Sequence, residues 1–250
     1  MENSYFDTPQ GRRIAYRRSP GSGPGVVFLG GLRSDMTGTK AEFLEREITA
    51  RGQAFLRFDY SGHGASSGTF EEGCIGEWAE DAFQAISTLT EGPQILVGSS
   101  MGGWMSLLMS KRLSTRIAGI VGIAAAPDFT EDSMWAWFSP EQKKQLIDAG
   151  RVEVPSDYSD EPYVITKHFI EEGRNNLVLR EPLPLAYPVR LLHGTDDTDV
   201  DLSVALRIVD HAACEDLQLT LVKGADHRFS TDACLAMILE KVAEISALSG

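Results

Sequence analysis

Gln94-Ile95-Leu96-Val97-Gly98-Ser99-Ser100-Met101-Gly102-Gly103-Trp104 decides how this chain is read. Its first four residues are short, largely apolar and partly β-branched, as a buried strand requires. Gly103 to Met109 has helical composition. Gly98-x-Ser100-x-Gly102 lies between them, and a strand, this turn and a helix together make a nucleophile elbow. So sharp a turn brings the backbone against both neighbouring elements, which calls for small residues two before and two after the nucleophile. It lifts the Ser100 hydroxyl above the sheet and aims the helix N-terminus at the reaction centre. Ser99 is excluded, because its frame would need glycine where Val97 and Met101 stand.

Working outward, strand-like and helix-like segments alternate as a mostly parallel α/β sheet flanked by helices demands. Arg12 to Arg18 reads as a polar edge strand with solvated arginines, Ser19 to Gly25 as a turn and Val26 to Leu29 as a buried strand. A helix over Thr39 to Arg51, a strand over Ala54 to Phe58 and a helix over Ile75 to Thr90 follow. Beyond the elbow come strands Ile117 to Ala125, Val189 to Leu192 and Leu217 to Val222, with helices over Leu202 to His211 and Thr231 to Ala247. The 250 residues suit a single domain, 1–250, large enough to bury roughly 70–75% of its unfolded surface.

The alternation breaks between Pro127 and Pro188. Here stand Trp135, Trp137 and Phe138, a helical stretch from Pro140 to Ala149, a polar loop and a second helical segment from Tyr163 to Glu172. An insertion at that position, 127–188, is expected to form a small cap over the site, with the three aromatics binding substrate.

A nucleophilic serine needs a base, and the base an orienting acid. Of the five histidines, His227 follows the final strand in a loop that returns to the sheet's C-terminal edge, where the chain order Ser, Asp, His puts the base. His63 and His193 read as structural, His168 and His211 as bystanders. Asp197, in the loop beyond a strand and four residues after His193, is the expected acid. Asp128, at the preceding strand's end, is its rival. Asp199 or Asp201 is free to start the next helix. The oxyanion needs preorganised N–H donors: Met101, after the nucleophile, and Leu32, in Gly30-Gly31-Leu32-Arg33, are expected to supply them. This chemistry requires no cofactor and no metal.

Charge and cysteine usage restrict the surroundings. A formal net charge of −13 works against nucleic acid or an anionic membrane surface as partner. No apolar run approaches the ~18 residues of a membrane span. Residues Met1 to Asp7 lack the pattern of a signal or transit peptide, and Cys74, Cys214 and Cys234 show no paired spacing, so the expected compartment is cytoplasmic.

Gly30-Gly31, Asp59-Tyr60-Ser61-Gly62-His63-Gly64, Gly98 to Gly102, His193-Gly194 to Asp197 and Asp226-His227 together resemble the α/β-hydrolase family. Met36 to Ala41, Arg57 to Gly62, Pro93 to Trp104 and Arg190 to Gly194 resemble, more narrowly, its acyl-protein thioesterases and acyl-glucuronide esterases. The resemblance implies Ser100, Asp197 and His227 as a triad acting on a small-molecule or S-acyl-protein ester or thioester. The alternatives on such a scaffold are a small-molecule receptor with little turnover and a C–C bond hydrolase.

Overall fold

The computed structural model describes residues 2–155 and 162–249. Its sheet starts with a short strand absent from the sequence reading, β1 (Ser4–Asp7), antiparallel to β2 (Arg13–Ser19). The Arg12 to Arg18 stretch is therefore not at the edge. Nor are all its arginines simply solvated: Arg12 Nε meets Asp81 at 2.7 Å, and Arg17 Nε donates to Asn3. The strand β3 spans Ser22–Leu29, beginning inside the expected turn, since extended backbone at Ser22 already pairs with Gln53 before the register shifts at Val26.

The order then follows the expected alternation: α1 (Thr39–Ala50), β4 (Gln53–Phe58), α2 (Ile75–Leu89), β5 (Gln94–Ser99), α3 (Met101–Arg112) and β6 (Ile117–Ile123). In the stretch between β6 and the next sheet strand, a π-helical turn at Thr130–Trp135 precedes α4 (Pro140–Ala149), β7 (Arg151–Val154), β8 (Tyr163–Thr166), α5 (Lys167–Gly173) and β9 (Leu183–Pro184). The chain ends with β10 (Val189–Gly194), α6 (Leu202–His211), β11 (Ala212–Ala213), β12 (Leu217–Val222) and α7 (Asp232–Leu248). The segment from Tyr163 to Glu172 is thus not wholly helical. Val164, Ile165 and Thr166 favour a strand, which pairs antiparallel with β7, and Thr166 then caps α5 by accepting from the Phe169 amide at 3.1 Å. The acid that starts α6 is Asp201, which accepts from the Ser203 amide.

The main sheet runs β1-β2-β4-β3-β5-β6-β10-β12, parallel from β4 onward. Its central strands β5, β6 and β10 are buried along their whole length, so Ile95 to Val97 and Ile117 to Ile123 read as continuous rather than alternating apolar runs, while Arg190 of β10 pairs with Asp216 and Glu244. On one face α1 and α7 pack Leu44, Ile48, Ile238 and Val242 against the sheet. On the other, α2, α3 and α6 supply Trp78, Trp104, Met105 and Ile208. Cys74, Cys214 and Cys234 are free thiols. No helix among the described residues is long and apolar enough to cross a membrane.

Candidate active site

β5 ends at Ser99 and α3 begins at Met101, so Ser100 makes the turn by itself. Its backbone sits at φ 55°, ψ −116°, a conformation L-residues rarely adopt. Backbone hydrogen bonds to β6, to the residues just after it and to α3 hold it there. The Ser100 amide donates to the Ile123 carbonyl at 2.9 Å, and the Ser100 carbonyl accepts from Gly103 at 2.9 Å and Ala126 at 3.1 Å. The flanking glycines are required by close approach: a Cβ on Gly102 would lie 1.9 Å from the Leu29 carbonyl oxygen, and one on Gly98 2.3 Å from that of Gly102.

His227, in the loop from β12 to α7, brings Nε2 to 3.2 Å from Ser100 Oγ and Nδ1 to 2.9 Å from Asp197 Oδ2. An ionised carboxylate only accepts, so it keeps the imidazole proton on Nδ1 and leaves the Nε2 lone pair toward the serine. Asp197 Oδ1 in turn accepts the amides of Asp199 at 3.0 Å and Val200 at 2.9 Å. Burial pushes the Asp197 carboxyl up, but the His227 hydrogen bond and those two amides outweigh it and hold the group below the usual carboxylate range. His193 lies behind this loop, buried, with Nε2 3.0 Å from the Val200 carbonyl.

Asp128 is occupied elsewhere. Its fully buried carboxylate accepts from the Val178 and Leu179 amides at 2.8 and 2.9 Å and meets the Arg180 guanidinium at 3.0 Å. It ties the start of the inserted stretch to its return, a structural task. Among the described residues, Asp197, Asp199 and His227 form one group close enough to share a metal ion, with donor atoms within 4.8 Å. Both oxygens of Asp197 and Nδ1 of His227 are already hydrogen-bonded within the relay.

The loop carrying Leu32 lies directly over the serine, since a Cβ on Gly31 would come 3.5 Å from Ser100 Cβ. It is anchored from the end of β4: Asp59, just beyond the strand, accepts from the Met36 amide at 2.6 Å, and buried Arg57 donates to the Met36 carbonyl. Met101 opens α3, where an amide has no helical carbonyl behind it to donate to. His63 takes no part; it is buried against Trp78, with ring centroids 4.9 Å apart.

Ser100 and His227 line a cavity of about 590 Å³. Phe28 and Leu32 form part of its wall, and the inserted stretch adds Phe129, Met134, Trp137 and Tyr163. Of the three expected aromatics, only Trp137 reaches it. Trp135 is instead held between Lys143 and Arg174, at 5.3 and 4.9 Å from its ring centroid, and Phe138 is buried in the core.

A model described as the alpha/beta hydrolase family matches residues 26–237. The chain belongs to the alpha/beta hydrolase family. Palmitoyl-protein thioesterase ABHD10, mitochondrial, from Bos taurus is 35% identical over 243 residues, covering 97% of this chain and 79% of the relative. Among solved structures, alpha/beta hydrolase domain-containing protein 10 from mouse superposes with a TM-score of 0.92 at 34% identity over the whole of both chains. A putative hydrolase from Agrobacterium vitis S4 gives 0.93 at 36% identity, covering 98% of each. These relatives correct the expected compartment. Proteins similar to this hydrolase along nearly its full length are named mitochondrial, so the N-terminal residues and scattered thiols do not assign it to the cytoplasm. Unpaired cysteines report reducing conditions, and those are not confined to one compartment.

Three charged residues of this hydrolase's cavity were not singled out as site residues by sequence. Asp199 brings Oδ2 to 4.0 Å from His227 Nε2. The Arg33 guanidinium sits between the rings of Phe70 and Tyr163, 4.4 and 4.6 Å from their centroids. Lys40 donates to the Arg228 carbonyl beside His227, and burial pulls its ammonium down to about 8 although Asp226 is near. Only the φ of +56° at Arg33 marks a local peculiarity, and it has no signature in the amino-acid string.

Proposed function

We propose that this hydrolase cleaves carboxylic esters or thioesters through an acyl-enzyme on Ser100. One observation carries the reading: the unbroken relay from Asp197 to His227 at 2.9 Å and from His227 to Ser100 at 3.2 Å, beneath a strained turn. In this reading His227 Nε2 takes the hydroxyl proton as Ser100 Oγ attacks the acyl carbonyl. Asp197 holds the ring and stabilises the imidazolium that forms. The amides of Leu32 and Met101 receive the developing oxyanion, where donors fixed in advance act without reorganisation. His227 then protonates the departing alcohol or thiol. Water, deprotonated by the same nitrogen, attacks the acyl-enzyme, and His227 passes that proton to Ser100 Oγ as the acid leaves.

The names of the relatives support an acyl-thioester as substrate. Within one domain, 1–250, residues 127–188 act as a cap. Trp137, Phe129 and Met134 line the acyl side of the cavity from that stretch. Ser100→Ala tests the chemistry: kcat is expected to fall by roughly 10⁴–10⁶ in a folded protein. A fluorophosphonate should label the wild type at Ser100 alone. Unchanged turnover in the alanine variant would end the reading. Acyl-thioesters, acyl-glucuronides and simple esters of matched chain length then rank the leaving group by kcat/KM.

A further inference from the structure

The two edges of the main sheet are built differently. β1 is four residues long and ends in Asp7, the kind of short, charged edge that resists further pairing. β12 is six residues, Leu217-Gln218-Leu219-Thr220-Leu221-Val222, without a charge, a proline or a bulge, and in step with β10 along its whole length. Among the described residues it pairs with β10 alone. The amides of Val189 and Thr195 donate to the carbonyls of Asp216 and Val222, so the even-numbered residues of β12 bond to β10. Leu217, Leu219 and Leu221 therefore turn their amides and carbonyls to the open side. Leu221 is 47% exposed.

The helix next to this edge continues the apolar surface. On α6, Ala205 and Ile208 are buried, Val204 lines the cavity, and Arg207 pairs with Asp132 of the inserted stretch at 2.9 Å. Helical spacing puts Leu202, Leu206 and Val209 on the opposite flank, the one turned to the β12 edge. Leu206 and Val209 are 49% and 36% exposed.

We infer that β12 and this flank of α6 form a docking surface for a second copy of the chain, the two β12 strands pairing antiparallel about a twofold axis normal to the sheet. Such an axis sets residues of like parity opposite each other, because directly opposed side chains must lie on the same face. With Leu219 on the axis, Leu217 meets the partner's Leu221 and each pair exchanges both backbone hydrogen bonds. The same register brings Glu215, in the bend before the strand, to the same end of the seam as the partner's Lys223, in the turn after it. Both flanking charges are exposed, and their opposite signs select this register over the one centred on Thr220, which would put Leu217 against the partner's Lys223. The two α6 helices then lie on one face beside the axis, covering Leu206 and Val209. The twofold reverses strand direction, so the two cavities open at opposite ends and neither is completed by the other copy.

Sedimentation of the wild type at micromolar concentration is expected to give twice the chain mass. Leu221→Lys should sediment as one chain with kcat/KM unchanged, since Leu221 lies outside the site. Lys223→Glu should raise the dimer Kd by roughly three- to thirtyfold, two like-charge pairs replacing two attractive ones, and adding Glu215→Lys should restore it. The charge-swap pair tests the interface independently should Leu221→Lys fail to fold. A wild type that stays single throughout the micromolar range, or a dimer that survives Leu221→Lys in folded form, would overturn the interface. Failure of the double swap to restore pairing would overturn the register.

Discussion

Replacing Asp197 with Asn tests the relay at a single atom. Asp197 accepts at both oxygens: Oδ1 from the Asp199 and Val200 amides at 3.0 and 2.9 Å, Oδ2 from His227 Nδ1 at 2.9 Å. An asparagine must present an NH₂ on one side. With its oxygen on the two amides, the NH₂ points at His227 and donates to Nδ1, which moves the imidazole proton to Nε2. That nitrogen then has no lone pair for the Ser100 hydroxyl. The reversed orientation restores the tautomer but sets the two part-buried amide donors of Asp199 and Val200 against an NH₂. Each unsatisfied buried donor costs about 1–3 kcal/mol, so the productive orientation lies about 2–6 kcal/mol higher. At about 1.4 kcal/mol per tenfold, this predicts a kcat loss of roughly 30- to 10⁴-fold. Loss of the charge facing the imidazolium moves the value toward the upper end. The assay is kcat on a soluble acyl-thioester, together with the rate of fluorophosphonate labelling, which needs the same base and should fall in parallel. A folded Asp197→Asn variant with wild-type kcat and labelling rate would refute the role given to Asp197.

Asp128→Asn should behave in the opposite way: Tm falls, because one of the Val178 and Leu179 amides loses its acceptor at about 1–3 kcal/mol, while kcat stays near wild type; a larger kcat loss than in Asp197→Asn would reverse the assignment. Trp137→Ala should lower kcat/KM for long-chain acyl substrates by tens of fold relative to acetyl ones, since each recognised methylene contributes about 0.8 kcal/mol. Trp135→Ala, outside the cavity, should leave that ratio unchanged, and equal ratios in the two variants would remove Trp137 from acyl recognition. Lys40 should be visible in stability against pH: between about 8 and the ordinary 10.5 the unfolded chain keeps a proton the folded chain has lost, so its contribution to stability rises with pH. Lys40→Met should flatten that rise, and superimposable Tm profiles would disprove it.

Features were legible in the amino-acid string where a strong pattern lies within a few residues. The elbow was legible because glycine on both sides of Ser100 answers a local steric demand, which the 2.3 Å approach of a Cβ on Gly98 to the Gly102 carbonyl oxygen makes explicit. β5 and β6 were legible because burial on both faces leaves an unbroken apolar run. The return of His227 to the sheet's C-terminal edge was legible because its loop follows the final strand, Leu217 to Val222.

Tertiary structure decided what depends on distant segments meeting. Asp128 and Asp197 both follow strands, and local spacing favoured Asp197 without excluding Asp128. Asp128 is turned, at φ 60°, toward amides 50 and 51 residues away, whereas Asp197 faces a histidine 30 residues on. Trp135, Trp137 and Phe138 form one cluster in sequence, yet the turn around them points one at two cations, one at the cavity and one into the core. β1 finds its place only because β2 offers it an edge, and a four-residue strand carries too little pattern to declare itself alone. Sterics and periodicity are short-range properties of the chain; the partner of a carboxylate or an aromatic ring is set by packing across the whole domain.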